Sequence, residues 1–339
     1  IDPSDAVEVD PTNDEAKAYI MEKIKDHFSH KAAVAKAIEL DPNDAIAYND
    51  SGDSKAFAKD YNGAIADYTK AIEINPDYAE AYINRGFAKE ELEDYDGAIA
   101  DCTKAIEIDP NDANTYMQRG ALKSDLKDYN GAIADYTKAI ELNPDDAMAY
   151  YNSGSAKGNL EDNSGAVSDY TKTIELDPNY TDAYYNRGSL KMKSKDYNGA
   201  IADYTKAIDI DPNYTNAYNN RGISKDNLGD YSGAIADYTK VLEIDPDYTL
   251  AYVNRGTSKH YLKDYKGALA DSNKAIELDP YSANAYYLRG LAKDDLEDFN
   301  GAIADYTKYI EFDPDDAKAY LQRGYSKNNL EDYSGAIVD

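Results

Sequence analysis

YNGAIADYTKAI, residues 129–140, recurs letter for letter at residues 61–72 and 197–208, and in variant form from Tyr95, Asn163, Tyr231, Tyr265, Phe299 and Tyr333. Each start lies 34 residues after the one before. Pro42, Pro76, Pro110, Pro144, Pro178, Pro212, Pro246, Pro280 and Pro314 keep the same interval. A period of this length, holding two helix-length segments, specifies a stack of supersecondary units, because no single unit can bury its own apolar face. Function must then be sought on the surfaces that the stack presents.

Residues 79–112 show how a unit is built. Asp77 and Asn111, each next to a proline, are expected to cap first helices, the one in this unit covering residues 79–92. Asp94-Tyr95-Asp96-Gly97 reads as a turn. Asp96 and its counterparts Asn62, Asn130, Ser164, Asn198, Ser232, Asn300 and Ser334 are expected to cap the second helix. That helix should stop near Ile108, since Pro110 disfavours helix at Asp109. Gly86 and its counterparts through Gly324 sit opposite the Ala98 series. A mid-helix glycine costs about 1 kcal/mol relative to alanine, so its return in successive units predicts close helix approach. Tyr82, Leu92 and Tyr95 are expected to supply the large side chains around the crossing. An aspartate recurs in every second helix, from Asp67 and Asp101 to Asp339, and is predicted to pair with the Arg or Lys of the first helices, such as Arg85 and Lys89.

Tyr82, Gly86, Tyr95, Ala98, Ala105 and Pro110 stand where tetratricopeptide repeats carry their signature. The chain resembles that family over residues 45–339, and more weakly before. The resemblance implies an all-α, right-handed superhelical solenoid of helix-turn-helix repeats: a degenerate N-terminal pair in residues 1–44, then eight full repeats and a truncated ninth over 45–339. The sequence departs from the family at Arg85, Lys89 and their counterparts, where Leu and Tyr are common, and at Gly97, where Glu is usual. Charge pairing is expected to make up the lost bulk.

By the same resemblance, first helices line a concave face that binds extended peptides, and in some long arrays a ladder of asparagines holds the peptide backbone. Asn84, Gln118, Asn152, Asn186, Asn220, Asn254 and Gln322 recur at one place in the repeat, with Asp50 and Leu288 as exceptions. Asn84, Asn152, Asn186, Asn220 and Asn254, with Tyr151, Tyr185 and Tyr287, are the candidate peptide-binding residues. The alternative reading of the asparagines is that they make local hydrogen bonds. Glu90, Glu91, Asp125, Asp226, Asp294 and Asp295 make the face acidic, with Lys193 and Lys318 nearly alone as cations, so a neutral or basic segment suits it.

Lys plus Arg number 36 against 65 Asp plus Glu, a formal charge of -29, which repels phosphate backbones and anionic bilayers. Nucleic acid is therefore not expected as a partner, and no apolar run is long enough for membrane insertion. Proteins or peptides are. Three histidines, one cysteine and the absence of G-x-S-x-G, H-E-x-x-H or Walker sequences leave no catalytic constellation, so no enzymatic activity is expected. No cofactor is expected either, although the D-P-N-D and D-P-D-D loops offer carboxylates to Ca2+. His27 and His30 beside Asp26 read as surface residues and not as metal ligands. Cys102 replaces a tyrosine and reads as a buried packing residue.

Sequons occur at Asn49, Asn179 and Asn213, the last two in inter-repeat loops where they would accept glycans if the chain is secreted. No signal peptide is visible, and the opening Ile1-Asp2-Pro3 reads as truncated, which leaves the compartment open. Residues 333–339 form half a second helix with no cap after it, and Val34, Ala37, Ile38 and Leu40 belong to a shortened pair. Those ends lead to the expectation that copies stack head to tail as a structural filament subunit; the other reading is a fragment of a longer protein with ordinary caps. Taken together, the sequence points to a non-enzymatic interaction scaffold that either self-assembles or holds a peptide in its groove.

Overall fold

The computed structural model describes residues 33–34, 36–39 and 41–339. Residues 33–34 and 36–39 are helical; the rest of the degenerate N-terminal pair up to residue 40, with His27 and His30, lies outside the described residues. From Ala45 onward first and second helices alternate: α1 Ala45–Phe57, α2 Tyr61–Ile74, α3 Ala79–Glu90, α4 Tyr95–Ile108, α5 Ala113–Asp125, α6 Tyr129–Leu142, α7 Ala147–Asn159, α8 Asn163–Leu176 and α9 Thr181–Lys193. They continue as α10 Tyr197–Ile210, α11 Thr215–Asn227, α12 Tyr231–Ile244, α13 Thr249–Tyr261, α14 Tyr265–Leu278, α15 Ala283–Asp295, α16 Phe299–Phe312, α17 Ala317–Asn329 and α18 Tyr333–Val338. The described residues contain no strand.

The chain divides into two compact units, residues 1–169 and 170–339, the division falling inside α8. In the first unit each of α1 to α6 packs on the next, and first helices also touch first helices, α1 on α3 and α5 on α7. In the second unit each of α9 to α17 packs on the next, with α9 on α11, α11 on α13 and α13 on α15.

Local chemistry sets the breaks. Two or three residues beyond each first helix stands a residue in the left-handed region, Glu93 at φ 63° and Lys127 at φ 63° being examples. The following amides turn back, Glu93 N–H to Glu90 O at 2.8 Å and Asp94 N–H to Lys89 O at 2.9 Å, which satisfies the carbonyls of the last turn. Gly229 alone meets this demand with a glycine, at φ 79°. Lys127→Gly is therefore expected to stabilise its repeat by about 1 kcal/mol, the cost of the left-handed conformation for a residue with a Cβ. A thermal melt checks this, and a lowered midpoint would refute it.

The caps differ from those expected. The second helix is capped by Asp94 and not by Asp96: the Asp94 carboxylate accepts from Gly97 N–H at 3.0 Å, and Asp60, Asp128 and Asp230 do the same in their repeats. This explains Gly97, because a Cβ there would stand 2.2 Å from Asp94 Oδ2 and displace the cap. Of the described first helices, four are capped by Asp44, Asp112, Asp146 and Asp316, the other five have no side-chain cap bond, and none uses the Asp77 and Asn111 position. The aspartate before proline closes the loop instead, Asp109 Oδ1 accepting from Asn111 N–H at 3.0 Å.

Packing also places the large side chains differently. Leu92 is 42% exposed and does not fill the crossing. That space belongs to the second-helix tyrosines Tyr68, Tyr136, Tyr204, Tyr238 and Tyr306, all buried. Their rings lie against the mid-helix glycines: a Cβ on Gly120 would be 2.6 Å from Tyr136 Cε1, and one on Gly222 would be 2.7 Å from Tyr238 Cε1. Where the tyrosine is missing, the next first helix fills in. Leu122 packs on Ala98 and Cys102, and Leu288 packs on Ala268 in the repeat that carries Ser272. Cys102 is buried as expected, and burial pushes its thiol up to about 12, far from the thiolate a reactive cysteine needs.

The predicted ion pairs form. Arg85 holds Asp101 with Nε and Nη2 at 2.9 and 2.6 Å, and Lys89 Nζ reaches the same carboxylate at 2.7 Å. Arg85 also lies over the Tyr82 ring at 5.5 Å and sends Nη1 to Thr69 Oγ1 of the preceding repeat at 3.1 Å. The same pattern recurs at Arg119, Arg187, Arg221, Arg255 and Arg323, and at Arg289 with Asn273 in place of Thr. Ser51 and Ser153 occupy the Arg place in two repeats, and each donates its hydroxyl to the local aspartate, Asp67 or Asp169.

Candidate functional site

Each first helix uses one face for the core and another for its neighbours in the series of first helices. The ladder asparagines sit on the second of these. In the first unit Asn84 Nδ2 donates to Asn49 Oδ1 at 3.3 Å and to Asp53 Oδ1 at 3.1 Å, both on the preceding first helix. In the second unit Asn220 Nδ2 reaches Tyr185 OH at 3.2 Å, and Asn254 Nδ2 reaches Asn219 Oδ1 at 3.3 Å. Asn152 and Asn186 are half-buried at the same place in their own repeats. Asn84, Asn220 and Asn254 thus tie first helices together. An Asn amide has two donor hydrogens and an acceptor with two lone pairs, so one such bond leaves capacity for a ligand backbone.

The candidate tyrosines are half-buried supports rather than free platforms. Tyr185 packs on Tyr204 and Tyr214, with ring centres at 5.8 and 5.0 Å, and Tyr287 packs on Tyr306 and Tyr309 at 5.8 and 5.1 Å. Tyr151 is likewise half-buried. Tyr261, 62% exposed, stacks on Tyr231 at 4.7 Å and 10°. Leu288, the exception in the ladder, is core, 3% exposed beside Gly256 where Ser272 leaves room. Asn49 is buried, whereas Asn179 and Asn213 are exposed in their loops.

The buried tyrosines connect the core to this face, because a phenol taken out of water needs a partner for its hydroxyl. Tyr68 OH donates to Asp53 at 2.8 Å, Tyr204 OH to Ser189 at 3.2 Å, Tyr238 OH to Asp226 at 2.8 Å and Tyr306 OH to Asp294 at 2.8 Å. Asp226 also accepts from Ser258 of the next first helix at 2.7 Å, and Asp294 from Ser326 at 2.6 Å. Burial raises both carboxyls above the usual range, and the hydroxyl bonds offset this only in part. His260, between them in sequence, meets Asp295 at 2.7 Å. These hydroxyl partners were not foreseen; the signal was the coincidence of Asp226 with Tyr238 and Ser258, repeated at Asp294 with Tyr306 and Ser326.

No group of three or more His, Cys, Asp or Glu that could hold a metal ion occurs among the described residues. In the inter-repeat loops, Asp41, Asp177, Asp211, Asp245 and Asp279 accept from backbone amides two residues on. No helix among the described residues is long and apolar enough to cross a membrane.

Tetratricopeptide repeat profiles match residues 79–112, 147–180, 181–214, 215–248, 250–282 and 283–316, and a TPR repeat profile matches 58–93 and 124–161. The chain belongs to the tetratricopeptide repeat family. No curated protein matches it. Among solved structures, this tetratricopeptide array is similar to YrrB, described as a TPR protein with an unusual peptide-binding site: 29% identity, TM-score 0.51, covering 54% of this chain and 95% of YrrB. The C-terminal part of a TPR repeat-containing protein from Cytophaga hutchinsonii shares the fold at 19% identity and TM-score 0.61, covering 71% of this chain and 98% of its own. MamA is 30% identical over 50% of this chain and 92% of its own, with TM-score 0.48.

Proposed function

We propose that this tetratricopeptide array is a non-enzymatic protein-interaction scaffold whose first-helix face holds an extended peptide. The observation that carries this reading is the row of half-buried amides and tyrosines in the second unit, in which Asn220 and Asn254 retain bonding capacity beside the aromatic surface of Tyr185. The similarity to YrrB, whose description names a peptide-binding site, supports it. Amides offer a peptide backbone both donors and acceptors without regard to its side chains.

A peptide selected from a random display library and cross-linked to Tyr185 provides the test. Asn186→Ala with Asn220→Ala should weaken its binding by about 1 to 3 kcal/mol, since each net hydrogen bond is worth about 0.5 to 1.5. Unchanged affinity would dismiss the ladder. Sedimentation over a range of protein concentrations separates this reading from head-to-tail assembly, for which the complex would grow with concentration.

A further inference from the structure

Two sets of aspartates in the second unit differ in their partners. Asp203, Asp237, Asp271, Asp305 and Asp339 each hold an Arg and a Lys. Asp226 and Asp294 are half-buried on the first-helix face, and among the described residues no basic side chain pairs with either. Each has a neutral phenol on one oxygen and a neutral serine hydroxyl on the other. A carboxylate oxygen accepts more than one bond, so each group is fixed in direction while its charge stays uncompensated. A sheltered charge without a counter-charge is costly, and these two lack the basic partners that each of the five second-helix aspartates has.

We propose that Asp226 and Asp294 are receptors for two basic side chains of the bound segment, so that the partner is an extended peptide carrying two Arg or Lys residues at a fixed separation. This rests on the peptide-binding reading above and specifies its partner. The two aspartates are two repeats apart on equivalent positions of α11 and α15, with identical hydroxyl supports, so they present the same carboxylate in the same local setting twice. Arg is the better fit, since its planar fork can add bonds to a carboxylate already held by hydroxyls. The raised carboxyls of both residues agree with groups awaiting a cation. Surrounding charge favours the same partner: Asp295 lies beside Asp294, and Asp230 raises the Asp226 carboxyl further.

Fluorescence polarisation with defined peptides tests this. The probes are labelled Gly/Ser/Gln peptides of one length carrying no Arg, one Arg, or two Arg at a series of separations. At one separation the two-Arg peptide should bind the native chain about tenfold or more tighter than the neutral one, as charge-assisted bonds require. Asp226→Asn with Asp294→Asn, folded by circular dichroism, should abolish that preference. Glu243→Gln with Glu311→Gln removes the same charge from exposed ion pairs of second helices, also two repeats apart, and should leave the preference intact. Equal loss in both variants would reduce the effect to the general negative field and overturn the assignment. If neutral peptides bind and remain sensitive to the Asn186 and Asn220 substitutions while Arg adds nothing, the carboxylate assignment fails and the groove reading stands. If no peptide binds, both fail.

Discussion

Asp237→Ala is expected to destabilise the repeat that contains it by about 3 to 5 kcal/mol, the usual cost of leaving one member of a buried ion pair without its partner. The Asp237 side chain is 5% exposed and accepts from Arg221 Nε at 3.0 Å, Arg221 Nη2 at 2.7 Å and Lys225 Nζ at 2.8 Å. Alanine leaves two sheltered cations side by side with no anion. Arg221→Ser should cost less, because Lys225 still neutralises the carboxylate and the protein itself uses serine at this place in Ser51 and Ser153. Because each repeat contacts chiefly its neighbours, the loss should be concentrated locally. Hydrogen exchange of the α11 and α12 amides reads it, and a larger loss for Arg221→Ser than for Asp237→Ala would contradict the argument.

Gly222→Ala and Gly86→Ala are the same chemical change and are expected to move stability in opposite directions. At Gly222 the new Cβ would sit 2.7 Å from Tyr238 Cε1 and 2.9 Å from its Cζ, and the ring is fully buried with its hydroxyl held by Asp226. Overpacking of that sort costs about 1 to 3 kcal/mol, more than the gain in helix propensity. At Gly86 the nearest atom is Ala98 O at 3.4 Å, with Cys102 Sγ at 3.7 Å, because Cys102 stands where the ring would be. There the gain of about 1 kcal/mol for alanine over glycine should appear nearly whole. Denaturant midpoints of the two variants against the native chain decide it; a destabilised Gly86→Ala would show that backbone approach, and not the ring, explains the glycine.

The period, the helix pairs and the Arg to Asp pairing were legible in the sequence because each is a relation at a fixed offset. A 34-residue spacing or a recurring pair of opposite charges can be counted along a string. What misled was geometry inside the turns. Asp96 and Asp94 are both good capping residues, and which of them caps depends on the left-handed Glu93, whose side chain gives no hint of that conformation. Leu92 reads as core by hydrophobicity alone, yet it follows the helix and faces outward. The site was half legible: the asparagines stand where the repeat places them, but that Asn220 would bond Tyr185, and that Asp226 would take the hydroxyls of Tyr238 and Ser258, depends on contacts between helices distant in sequence.

Where a rung has the arginine, it reaches its aspartate 16 residues ahead and a threonine, or Asn273 in the case of Arg289, 16 residues behind. Every bond of a rung therefore fits within a window shorter than the period, whatever stands beyond it. A gene segment encoding one period, duplicated or lost by unequal recombination, would leave every surviving rung with all its partners. Copy number can change by whole periods without any compensating substitution, and the identity of residues 61–72, 129–140 and 197–208, each two periods apart with variant copies between, is the mark that duplication of a two-period segment would leave.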